Sequence, residues 1–355
     1  MSAWLDAAGM ALRVRIEALL RGEALGPEGL DALACEIAAW QRDHNPVYAR
    51  LWRAERGHLG DVTGVDDIPA VPTDVFKAAE VASFDRRARV REFLTSGTSQ
   101  EVRGRHAFAD TSLYAEGACR GAARWLLPQP KYRMVLVAES EADAPHSSLT
   151  FMLARFAERW ALGAAPFVVR GSSLDLGALS QVLDTAQESG DPVALLGTSF
   201  GFVHLVDALG DRRWEVARHS VAMFTGGFKG RSREVDAGAL GAMVRAQFGA
   251  ALRVAAEYGM TELSSQAYDA ESVGRYEAPR WMRVRAVDPV SLAPLGAGAV
   301  GLLRVVDLCN LGSVVAVQTS DLGRCFDDGS FEVLGRAPGA TPRGCARALD
   351  ALLAP

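Results

Sequence analysis

The stretch Leu252-Arg253-Val254-Ala255-Ala256 is a short apolar run of strand type that leads directly into Glu257-Tyr258-Gly259-Met260-Thr261-Glu262. Working outward towards the N-terminus, similar runs at 134–138, 166–169, 193–196 and 221–224 alternate with stretches of helical period at 149–160, 174–186, from 200 onward and at 234–248. Such alternation predicts βαβ units, hence an α/β core with mostly parallel strands and helices on the faces of the sheet. Residues 257–262 then fall at the carboxyl end of a parallel strand, the edge where ligands of open α/β sheets sit.

Past Pro279 the pattern becomes strands alone, at 282–287, 300–306 and 314–319, with a hairpin signal at Asp327-Asp328-Gly329. A small β-subdomain is expected there. In the other direction, Leu12, Ile16, Leu19 and Leu20, then Leu30, Leu33, Ile37 and Trp40, recur at helical spacing, with a break at Gly26-Pro27. Between lies an acidic stretch at 61–67 and Ile68-Pro69-Ala70-Val71-Pro72, where the prolines exclude a central strand or a helix interior. The expected organisation is a helical N-terminal region over 1–60, an α/β core over 61–280, the β-subdomain over 281–336 and a mobile tail over 337–355.

The 355 residues suffice for a large core, and a formal net charge of -5 lacks the basic excess of a nucleic-acid binder. Asp6, Arg13 and Arg15 interrupt the N-terminal apolar residues, so neither a signal peptide nor a membrane span is expected. The five cysteines show neither CxxC nor metal-ligand spacing, which fits reduced thiols in a cytoplasmic protein and no zinc site.

Three segments carry chemistry. Leu94-Thr95-Ser96-Gly97-Thr98-Ser99 clusters hydroxyls about a glycine, offering N–H and O–H donors to a triphosphate. No Gly-Lys-Ser/Thr follows, so it is not a P-loop, and alone it reads equally as a surface turn. In Tyr258 to Glu262, an aromatic ring can stack a base, a glycine admits a phosphate, and a hydroxyl and a carboxylate can bind phosphate and Mg²⁺. The same residues also suit a strand-to-helix turn capped by Thr261 with Glu262 on the helix dipole. Gln318-Thr319-Ser320-Asp321 reads as a strand end whose carboxylate accepts ribose hydroxyls, or as an Asp-capped turn.

In this order the three segments resemble the adenylate-forming superfamily of acyl-CoA synthetases and luciferase-like ligases. The resemblance narrows to LuxE-type acyl-protein synthetases on 71–77 (Val-Pro-Thr-Asp-Val-Phe-Lys), 93–99, 146–152 (His-Ser-Ser-Leu-Thr-Phe-Met) and Thr225-Gly226-Gly227-Phe228-Lys229. Residues 258–262 and the tail from Gly335-Arg336 to Arg343-Gly344-Cys345 complete it. It implies ATP and Mg²⁺ as cofactors. Ser96, Thr98 and Ser99 would contact phosphate, Tyr258 and Gly259 would line the adenine side, and the Gly226-Gly227 turn would lie beside the site as part of the ATP/AMP set. Thr261 and Glu262 would meet the α-phosphate and the metal, Asp321 the ribose, and Arg336 would complete the ATP/AMP set. Lys229 would neutralise charge at the α-phosphate, although a solvated lysine after a glycine turn reads equally well.

Two departures stand out. Gln100-Glu101 occupy the place where relatives carry a glycine, with a lysine later in the loop, leaving Arg103 or Arg105 to face the outer phosphates. Larger ligases also carry a C-terminal lid with a catalytic lysine, whereas no lysine follows Lys229 here. That shortened tail fits the LuxE type better than a full acyl-CoA synthetase. The tail from Ala337 to Cys345 is rich in Pro and Gly and reads as a mobile linker, its nine residues spanning at most about 30 Å. Arg343 favours a thiolate at Cys345. A tail cysteine is by itself often incidental; the Arg-Gly-Cys context makes it the expected acyl acceptor. Cys35, Cys119, Cys309 and Cys325 read as structural, and so do His106, His146 and His204.

The resemblance therefore implies ATP-dependent activation of a carboxylic acid, fatty in the family pattern, as acyl-AMP. The acyl group would pass to Cys345 as a thioester and then to a partner such as an acyl reductase. The alternatives are a small acid-CoA ligase and a non-catalytic nucleotide-binding relative.

Overall fold

The computed structural model describes residues 4–58, 60–95, 102–226 and 237–337. The chain divides into two units: the described residues up to Gly117, Met260–Ser265 and those from Glu277 on form the first, and Ala118–Gly259 with Gln266–Tyr276 the second.

In the second unit five strands lie in the order Ala267–Asp269, Arg253–Tyr258, Val221–Thr225, Val193–Thr198, Arg133–Val137. The last four pair in parallel, and only Ala267–Asp269 runs antiparallel at the edge. Helices Ser148–Trp160 and Leu176–Ser189 both fall between Arg133–Val137 and Val193–Thr198, and Ser199–Leu209 and Ala237–Phe248 alternate with the later parallel strands. Strands covered on both faces must be apolar throughout, and Val193, Ala194, Leu195 and Leu196 are all fully buried. On one face, Val135, Leu195, Phe224 and Val254 join Leu183, Phe202 and Phe248 in a single core. Ser147, Asp175 and Thr198 cap their helices by accepting from the N–H of Thr150, Ala178 and Gly201.

The run at 166–169 departs from expectation. Leu136 donates its N–H to Pro166 and Val168 donates to Leu136, as in a strand, but only a single bridge forms, at Leu136 and Phe167. The chain then turns back, and Val169–Arg170 pairs antiparallel with Ser173–Leu174. Gly171, at φ 58°, makes the reversal possible and ends the run before it can extend the sheet.

The first unit begins with helices Ala7–Leu20, Pro27–His44 and Pro46–Arg56. Asn45 closes the second and caps the third: its N–H bonds to Gln41, while its Oδ1 accepts from Val47 and Tyr48. A sheet orders Val71–Pro72, Ala316–Cys325, Val300–Asp307 and Met282–Val287, with Phe331–Arg336 also paired to Ala316–Cys325. Val71–Pro72 lies at the edge, where a proline costs no ladder bond. Gln41, fully buried, ties the helices to this sheet region by donating to the carbonyls of Asn310 and Leu311 and accepting from the Val315 N–H. No helix among the described residues is long and apolar enough to cross a membrane.

Candidate active site

Within the second unit three parallel strands end level with one another, Thr198 beside Thr225 and Thr225 beside Glu257. Immediately beyond, Gly226 adopts φ 73°, and its carbonyl accepts from Ser199 Oγ at 2.8 Å. Thr225 Oγ1 donates a short hydrogen bond to Glu257 Oε2. Burial pushes the Glu257 carboxyl up to about 7, against the opposing effect of the Thr225 bond. Tyr258 is buried on the opposite face of its strand from Glu257, its ring 6.0 Å from that of Tyr276. Burial first, then the charges of Asp269 and Glu257, raise Tyr276 to about 12.

Gly259 shares the face of Glu257, and there is no room for a side chain on it. A Cβ at that position would overlap Glu257 Oε1 and press on Gln266 Cγ at 3.3 Å. The glycine that looks like a phosphate-admitting residue in the sequence is thus required first by its neighbour two positions back.

The continuation of the motif belongs to the first unit, where buried polar side chains grip its backbone. His106 Nδ1 lies 2.7 Å from the Thr261 carbonyl oxygen, and Asn310 Nδ2 donates to the Glu262 carbonyl at 2.9 Å. Asp307 accepts from the Ser264 N–H at 2.8 Å, the Ser265 hydroxyl at 2.6 Å and the Cys309 N–H at 3.0 Å. Burial raises the Asp307 carboxyl to about 6 despite these bonds, and lowers His106 to about 4, so the imidazole stays neutral. Glu262 itself is 7% exposed.

Among the described residues no group of three or more His, Cys, Asp or Glu side chains forms a metal cage. A lone carboxylate such as Glu262 is the donor set that suits Mg²⁺, which takes few protein ligands and completes its shell with substrate phosphates and water.

In the same unit the expected strand at 314–319 runs on as Ala316–Cys325, so Asp321 lies inside a strand and not at its end. Pairing with Phe331–Arg336 continues the ladder past Thr319, and the register shifts between Leu322 and Gly323. Asp321 stands opposite Arg336, with Oδ1 3.5 Å from the guanidinium Nε, and its N–H donates to Thr319 Oγ1. The strand Arg91–Leu94, which runs up to the hydroxyl-rich segment, pairs with Arg105–Phe108. Arg103 donates to the carbonyls of Thr95 and Leu94, whereas Arg105 is exposed. Ser96, Thr98, Ser99, Gly227, Lys229 and Cys345 lie outside the described residues.

The structure thus brings Thr225, Gly226, Tyr258 and Gly259 together in one unit, and in the other Thr261 and Glu262, with Asp321 and Arg336 paired to each other. Asp307, Asn310, Glu257 and Gln266 carry no signal in the sequence beyond polarity beside apolar strands.

The fold is that of adenylate-forming acyl-CoA ligases. A structure of 2-hydroxyisobutyryl-CoA ligase with 2-HIB-AMP and CoA is matched at TM-score 0.63 and 16% identity, over 89% of this chain and 70% of that one. ATP-bound MatB from Rhodopseudomonas palustris is matched at TM-score 0.50 and 15% identity, over 69% of this chain and 47% of that one. VinN is matched at TM-score 0.50 and 13% identity, over 70% and 60%. This chain therefore spans about half the length of the MatB chain. Comparison with curated proteins finds no significant match. The family profile "Acyl-protein synthetase, LuxE" matches residues 56–354, and the chain belongs to that family.

Proposed function

We propose that the protein activates a carboxylic acid with ATP and loads the acyl group onto its own Cys345. In the first step a carboxylate oxygen attacks the α-phosphate, forming acyl-AMP and releasing pyrophosphate. In the second the Cys345 thiolate attacks the acyl carbon, the bond to AMP breaks, and a thioester and AMP result. The thioester then passes to a partner of the acyl-reductase kind, with a fatty acid as the acyl source. The observation that carries this reading is the family match, which spans every motif residue and continues through Cys345.

The residues divide the work by chemistry. Ser96, Thr98 and Ser99 hold the phosphates, Tyr258 and Gly259 the adenine and Asp321 the ribose, with Gly226, Gly227 and Arg336 completing the ATP/AMP set. Thr261 and Lys229 meet the α-phosphate, where preorganised donors lower the barrier by opposing the charge that develops. Glu262 would hold Mg²⁺, which supplies charge neutralisation at the phosphates.

The fold neighbours that carry CoA favour one second reading, transfer to CoA in place of Cys345. Intact-protein mass spectrometry with ATP, Mg²⁺ and a panel of acids separates the two. A hydroxylamine-labile adduct on the native chain, absent from Cys345→Ser, is expected. AMP release that requires CoA and leaves no adduct would transfer the assignment to the CoA ligase, and neither product with any acid would sink both.

A further inference from the structure

Glu257 and Gln266 are the two polar side chains that converge on Gly259, and both are more than nine-tenths buried. Gln266 stands opposite Gly259 one step beyond the ladder in which Ala267 pairs with Tyr258. Its Oε1 is buried with no hydrogen-bond partner. Glu257 accepts the Thr225 hydroxyl on Oε2 and sets Oε1 against Gly259. One orphaned acceptor oxygen, Gln266 Oε1, therefore lies beside this glycine, next to the Glu257 carboxyl. An orphaned buried acceptor costs roughly 1–3 kcal/mol, so such groups call for a partner outside the protein's own set. Half-buried Thr225 and exposed Gly226 place the cluster at the accessible carboxyl edge of the parallel sheet.

We infer that Glu257, Gln266 and Thr225 form a polar subsite for a hydrogen-bond-donating substituent, hydroxyl or amino, on the acid that the protein activates. The inference rests on the proposed acid activation and narrows its substrate to a polar-substituted acid over an unsubstituted chain. The strand geometry separates this subsite from the base-stacking side, because Glu257 and Tyr258, being consecutive, point to opposite faces.

The test is calorimetric titration of the full chain with octanoic acid and its α- and β-hydroxy and amino derivatives, without nucleotide, alongside ATP–pyrophosphate exchange with the same acids. At least one substituted acid is expected to bind at least ~5-fold more tightly than octanoic acid. Gln266→Leu should shrink that ratio towards one, and Glu257→Gln, isosteric with the protonated carboxyl, offers a second variant if the first fails to fold. Octanoic acid binding as tightly as every derivative, no acid binding at all, or a preference that persists in Gln266→Leu each overturns the subsite. So does a Gln266→Leu variant that weakens ATP alone. Absence of exchange despite selective acid binding would instead fail the activation reading and leave the subsite standing.

Discussion

His106 and Thr261 are 155 residues apart in the chain and joined by one hydrogen bond of 2.7 Å. A carbonyl oxygen only accepts, so Nδ1 carries the proton and the neutral tautomer is set by that bond. His106 also lies on the strand Arg105–Phe108, whose partner Arg91–Leu94 leads into the hydroxyl loop. The bond thus fixes the backbone of the acidic motif to this pair of strands.

Replacing His106 with Leu removes the donor and is expected to cost about 1–3 kcal/mol in urea unfolding, with Asn restoring part of it. The sign of the pH effect follows from a folded pKa of about 4 against an ordinary 6.5. The contribution is present above pH 6.5 and is lost as the pH falls towards 4. Equal acid sensitivity in the native protein and His106→Leu would refute the assignment.

Glu257 and Asp307 act in the opposite direction. Their folded pKa values are raised, to about 7 from 4.5 and to about 6 from 3.8. Their contribution is complete below the ordinary values and declines as the pH climbs through the raised ones. For Glu257, bonded to the Thr225 hydroxyl, the whole step amounts to roughly 3 kcal/mol. Thermal unfolding of Glu257→Gln between pH 4.5 and 8 should lack that decline; a curve parallel to the native one would count against a buried carboxyl.

Gly259→Ala is expected to destabilise by about 1–3 kcal/mol through overlap with the Glu257 carboxyl. The double variant Glu257→Ala, Gly259→Ala should recover most of what the glycine substitution alone loses. Strict additivity in a double-mutant cycle would show that the two side chains do not meet.

Of the two arginines weighed as stand-ins for the missing loop lysine, Arg103 spends its guanidinium on the Thr95 and Leu94 carbonyls. Arg105→Ala is therefore expected to raise the KM for ATP by about tenfold, as for one lost charge-assisted hydrogen bond. Arg103→Ala should lower thermal stability in addition. Should Arg105→Ala leave the KM unchanged, neither arginine takes the lysine's part.

Local periodicity is enough to determine much of this fold. The runs ending near Ala138, Leu196, Phe224 and Ala256 become the four parallel strands, because a strand buried on both faces has to be apolar along its length. The place of Tyr258 at a carboxyl edge follows from the same pattern. Asp321 shows its limit: a ladder with Phe331–Arg336 carries the strand past the polar residues Thr319 and Ser320, which end it in a purely local reading.

Only the tertiary structure decides how the motif is held. His106, Asp307 and Asn310 reach the 261–265 backbone from 42 to 155 residues away. A buried polar group must find a partner, but nothing in local spacing says which one. Gly259 follows the same logic, its identity imposed by a carboxyl folded against its α-carbon. Sequence alone thus determines which residues reach the edge of the sheet, through period and residue type, and packing determines which of them meet.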